Sequence, residues 1–110
     1  MKKDIVDYLD NLGFKHSTLG YVYLNEAVEI GLERRSSLST ITGPDGLYSR
    51  IARKFNAEYG TIPSRVERAI RHSIQSSDFI NKSSNGAFIS KAIDAIAIER
   101  QGEADNEPRN

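Results

Sequence analysis

Apolar side chains recur at helical rather than strand spacing along nearly the whole chain, and glycine-containing breaks separate one stripe from the next. Ile5, Tyr8, Leu9 and Leu12 fall at i, i+3, i+4 and i+7, which predicts a helix over 2–12, with Gly13 turning the chain out of it. A connector, Phe14 to Gly20, leads to a second helix over about 21–34. Its stripe is Leu24, Ala27, Val28 and Gly31, with Leu32 beside it, while Glu26, Glu29 and Glu33 lie elsewhere on its surface. Arg34 and Arg35 sit at the negative end of its dipole. Residues 36–42 fit either a short helical turn or a connector, and Gly43-Pro44-Asp45-Gly46 is turn sequence.

Leu47, Ile51, Ala52 and Phe55 mark a third helix, expected to run to about Tyr59 before Gly60-Thr61-Ile62-Pro63 breaks the pattern. A fourth covers about 62–76 and a last one Phe88 to about Arg100. No strand-length run alternates with period two, and no segment repeats. The expectation is an all-α, compact domain of about five to six helices over residues 1–101, with a disordered acidic tail at 102–110.

Composition narrows the function classes. A chain of 110 residues that is 38% hydrophobic and 27% charged supports one globular core. Its longest apolar run is Ala95-Ile96-Ala97-Ile98, far below a membrane span, and the amphipathic N-terminus is unlike a signal sequence. The protein is therefore expected to be cytoplasmic, with no membrane partner. The lack of cysteine excludes disulfides, thiol catalysis and cysteine-bound metals. His16 and His72 share no ligand spacing, and His16 reads as a surface or packing residue. The serines stand in no nucleophile elbow, and the glycines near position 43 lack the spacing and lysine of a phosphate loop. The expectation is no enzyme, no catalytic residue, no metal and no cofactor.

Net charge is zero but unevenly distributed. Residues 1–33 balance at −3, residues 50–72 at +4 and residues 99–110 at −2. The basic stretch holds the most legible helix. Val66, Ala69, Ile70, Ser73 and Ile74 share one arc of it; Ser64, Arg68, Arg71 and Gln75 share the opposite arc, with Glu67 and His72 on its shoulders. Two openings fit: a Ser64–Glu67 capping box, or Thr61 as N-cap with Pro63 in the first turn.

Two helices joined by a short glycine-containing break, each with an apolar inner face, have the outline of a helix-turn-helix. Arginine can bond guanine O6 and N7 together, and glutamate can accept from the cytosine amino group. Thr61, Ser64, Arg50, Arg53 and Lys54 are candidates for phosphates. Against this stands the plain alternative of a solvated helix face, on which Glu67 and Arg71 pair at i, i+4 for a few tenths of a kcal/mol.

Residues 63–74, Pro-Ser-Arg-Val-Glu-Arg-Ala-Ile-Arg-His-Ser-Ile, resemble the recognition helix of the DNA-binding effector domain of the sporulation master response regulator family of Firmicutes. Gly20-Tyr21-Val22-Tyr23-Leu24-Asn25-Glu26-Ala27 is similar to an early helix of that family, and Leu47 to Asn56 to its first helix-turn-helix helix. Phe88 to Glu99 resembles the final helix more weakly.

The resemblance implies sequence-specific binding of double-stranded DNA carrying a TGTCGAA-like box, as a homodimer or as tandem copies. It assigns base contacts to Glu67, Arg68 and Arg71, and backbone or flanking positions to Ser64, Arg65 and His72. Four departures shape the expectation. No receiver segment precedes the match, so a standalone copy without phosphorylation control in this chain is expected. The stretch from Phe55 to Ser64 is longer than in the family, so Asn56-Ala57-Glu58-Tyr59 is expected to extend the third helix. The stretch between His72 and Phe88 is shorter and lacks a region associated with RNA polymerase, favouring a repressor over an activator. The acidic tail has no counterpart. The alternative is a protein-interaction module of phage or mobile-element type that binds and inhibits a DNA-acting complex or a full-length regulator.

Overall fold

The structure, a computed structural model, describes residues 1–34, 46–73 and 84–105. These form α1 (Lys3–Asn11), α2 (Leu19–Glu33), α3 (Leu47–Phe55), α4 (Thr61–Ser73) and α5 (Asn85–Asp105), with no strand among the described residues. The all-α expectation holds. Residues 36–42, most of the Gly43–Gly46 turn, Ile74 and Gln75 lie outside the described residues.

Helix α2 packs against the other four. It can do so because it buries side chains almost all round: Gly20, Tyr21, Tyr23, Leu24, Asn25, Ala27, Val28 and Gly31. The stripes of its neighbours close on it: Ile5 and Leu9 from α1, Leu47 and Ile51 from α3, Ile62, Val66 and Ile70 from α4, and Ile89, Ala92 and Ile96 from α5. The closest approach is to α4. A β-carbon at Gly20 would stand 2.3 Å from the Arg65 carbonyl oxygen and 2.8 Å from Ala69 Cβ, so only glycine lets the two backbones meet there. Gly13 makes a second such approach, where a β-carbon would stand 2.6 Å from the Ser73 carbonyl oxygen.

Helix ends follow local hydrogen bonding more closely than the stripes. Gly13 takes the expected left-handed conformation, φ 85°. Its N–H donates to Asp10 O at 2.9 Å and that of Phe14 to Leu9 O at 3.2 Å, a closed C-terminal motif. Helix α2 starts at Leu19, before the expected position, because Thr18 Oγ1 accepts from Tyr21 N at 3.2 Å.

The end of α3 corrects the sequence reading. The helix stops at Phe55 instead of continuing to Tyr59. Asn56 is left-handed at φ 51°, and the Ala57 N–H closes onto Ala52 O at 2.9 Å. This is the motif seen at Gly13, built on asparagine, the other residue type that tolerates the region.

Helix α5 is longer than expected at both ends. It opens at Asn85, where Ser84 Oγ accepts from Ala87 N at 3.2 Å, and continues past Arg100 to Asp105. Backbone at 102–105 is thus helical where the sequence predicts the start of the tail, and residues 106–110 lie outside the described residues. Arg100 closes the bundle against α1: Nε and Nη2 donate to the two Asp4 carboxylate oxygens at 2.5 and 3.1 Å.

Gly20→Ala is expected to destabilise the fold by about 1–3 kcal/mol in urea unfolding, because backbone has to move. Gly60→Ala, where nothing lies within 4 Å of the added carbon, should change stability by less than about 0.5 kcal/mol. The Arg100 guanidinium holds the Asp4 carboxyl below the usual carboxylate range. That stabilisation is present above the unfolded value and is lost as pH falls through the folded one. Asp4→Asn should therefore be less stable than wild type at neutral pH, and the gap should close on acidification below about pH 4.

Candidate nucleic-acid interface

Helix α4 is amphipathic in the strict sense. Ile62, Val66 and Ile70 are buried, and Ala69 and Ser73 half-buried, on the face against α2. Ser64, Arg65, Glu67, Arg68, Arg71 and His72 are all exposed. One continuous outer face therefore carries three guanidinium groups, a carboxylate, an imidazole and a hydroxyl.

The opening of α4 differs from both caps considered for it. Ser64 is inside the helix, its hydroxyl donating to Gly60 O at 3.3 Å, and Glu67 is engaged with Arg71, so no capping box forms. Thr61 is the first helical residue rather than the cap, and its hydroxyl donates to Glu58 O at 2.7 Å. The Thr61 and Ile62 N–H groups, both at 3.1 Å, bond back to Glu58 O and Tyr59 O. The five residues 56–60 thus form a wound turn that leads straight into α4, and Pro63 stands in the first helical turn as expected.

A residue outside the sequence-predicted site fixes this first turn. Asn85, at the start of α5, donates from Nδ2 to Pro63 O at 2.9 Å. It also lies beside the Tyr48 hydroxyl of α3, where burial raises the tyrosine pKa and Asn85 acts in the opposite direction. Asn85 therefore bridges α3, α4 and α5. No local pattern could have found it, because its partner lies 22 residues earlier and the bond runs to a backbone carbonyl.

Glu67 and Arg71 form the surface pair allowed by their spacing: Arg71 Nη2 lies 2.7 Å from Glu67 Oε1, with side-chain exposures of 70% and 52%. So exposed a pair is worth little, and exchanging it for another partner costs little. Arg68 has no ion-pair partner among the described residues. With Gly60, Thr61, Ser64 and Arg65 it lines a shallow open depression at the start of α4. The helix dipole at this end favours anions.

The cations of α3 separate into two environments. Arg53 is exposed and Arg50 half-buried on the outer side of the helix. Lys54 instead reaches α2, its Nζ 2.8 Å from Glu26 Oε1. The Glu26 carboxylate raises the Lys54 pKa, and the charges of Glu29 and Glu33 add to the effect. Phe55 packs on Tyr23 with ring centroids 5.5 Å apart, and the Lys54 ammonium lies over the Phe55 ring. Of the three α3 cations expected at phosphates, Lys54 is thus engaged with α2 in this structure.

His16 is exposed, paired with Asp10 and stacked on Tyr21 with ring centroids 4.5 Å apart. Among the described residues no three His, Asp or Glu side chains converge to hold a metal ion. No described helix is long and apolar enough to cross a membrane.

An all-helical domain that seats one short helix by its apolar side and turns a guanidinium-rich face outward is built like a DNA-binding domain. Comparison with protein families agrees: the model described as "Sporulation initiation factor Spo0A C terminal" matches residues 5–94, and the chain belongs to that family. The family is the DNA-binding domain of a sporulation regulator. The match runs from Ile5 in α1 to Asp94 in α5 and so includes the whole α3–α4 unit.

If Asn85 holds the first turn of α4, Asn85→Ala should cost about 1 kcal/mol in unfolding free energy and speed amide exchange at the start of α4. Asn85→Asp, close in shape but without the N–H donor, should lose as much.

Proposed function

We propose that this protein binds double-stranded DNA sequence-specifically, using α3 and α4 as a helix-turn-helix with α4 in the major groove. The observation that carries this reading is the outer face of α4, where Glu67, Arg68 and Arg71 are exposed opposite the buried Ile62, Val66 and Ile70. Membership of the family supports it. Arg68 and Arg71 bond guanine edges and Glu67 accepts from a cytosine amino group, so the Glu67–Arg71 pair is exchanged for bases on binding. Ser64, Arg65 and Thr61, around the depression at the helix start, approach the phosphates together with His72, Gln75, Arg50 and Arg53. Lys54 acts mainly by holding α3 to α2 through Glu26. The target is a TGTCGAA-like box, read by a homodimer or by tandem copies, and the role is that of a cytoplasmic transcription regulator, a repressor rather than an activator.

Fluorescence anisotropy on a duplex with two such boxes and on a scrambled duplex, over a salt series, tests this. Arg68→Ala and Arg71→Ala should each weaken box binding by about 1–3 kcal/mol and narrow its margin over the scramble. A folded wild-type protein that binds neither duplex at low salt would sink the proposal and turn attention to a protein partner.

A further inference from the structure

A second depression is formed by α3 and the turn into α4, lined by Ser49, Arg53, Asn56 and Tyr59 with Ala52 and Ala57. It adjoins the depression at the start of α4 in sequence: Tyr59 lines one and Gly60 the other. Among the described residues, the polar side chains that line them can all donate hydrogen bonds, and none is a carboxylate.

Two of these donors stand out. Tyr59 is 41% exposed, yet its ring is seated edge-on against Tyr48 with centroids 6.5 Å apart. A ring held by such a contact loses less freedom when it binds. Asn56 is exposed, and its left-handed backbone is where the early end of α3 leaves it. Ser49 and Arg53 also interact within the protein, so the added contacts rest on Tyr59 and Asn56.

We propose that this depression is a second seat for the DNA backbone, with the Tyr59 hydroxyl and the Asn56 amide donating to phosphate oxygens next to those held at the start of α4. The proposal rests on the DNA-binding reading given above. A phosphodiester suits the site because it offers acceptors only, and the described side chains that line the depression supply donors. Contacts to phosphate fix register and orientation but carry no base information. The seat should therefore strengthen binding to any duplex and leave the choice of box to α4.

The test uses the same two duplexes with Tyr59→Phe, which keeps the ring, and Asn56→Gly, which keeps the left-handed backbone accessible. Urea unfolding checks that both variants are folded. Each should weaken binding to box and scramble alike, by roughly five-fold, with the box-to-scramble ratio unchanged. A single neutral methylphosphonate, moved along the box duplex, should at one position make wild type and Tyr59→Phe bind equally. Wild-type affinity in both folded variants, while Arg68→Ala still loses the box preference, would overturn the second seat and leave the α4 reading intact. No binding by wild type to either duplex would instead overturn the DNA reading, and the seat with it.

Discussion

The α2–α4 contact at Gly20 is the constraint on which the rest of the molecule depends. Only hydrogen fits between α2 and the Arg65 carbonyl, and this fixes how far α4 stands from the central helix and which side of it turns inward. Once Ile62, Val66 and Ile70 are buried, helical geometry leaves Ser64, Glu67, Arg68 and Arg71 no direction but outward. The second close approach, at Gly13 and Ser73, holds the other end of α4. A helix held on backbone at its middle and at its C-terminal end is a rigid carrier for its outer side chains.

Much of this was legible in the sequence, because the core is built from stripes and stripes are local. The five described helices and the inward and outward sides of α4 follow from spacing alone. Gly13 was also readable, since a glycine just past a helix rarely has another purpose. Asn56 escaped because asparagine ends a helix only when its backbone turns left-handed, and the apolar pattern around it gives no sign of that. The Ser64–Glu67 box failed for a related reason: the wound turn started α4 earlier, so both residues were already inside the helix.

Contacts between distant residues set the remaining differences. The bridge from Asn85 to Pro63, the clamp from Arg100 to Asp4 and the latch from Lys54 to Glu26 all join residues far apart in sequence. Each decides the environment of a charge or the angle of a helix, and none leaves a periodic trace. Lys54 is the clearest case. By type and position it belongs with Arg53, yet the acidic side of α2 claims it. Glu67 and Arg71 show the converse, since i, i+4 spacing implied their pairing and the structure contains it.

Helix α5 spans the molecule between two of these ties. Asn85 touches the first turn of α4, and Arg100, fifteen residues on, grips the first turn of α1. At 1.5 Å per residue the two ties are about 22 Å apart. Residues 1–4 and the last turns of α5 thus share one pole, while the opening of α4 lies toward the other. A chain fused ahead of Met1 would leave from that pole, like a cord from the handle end of a tool, away from the opening of α4.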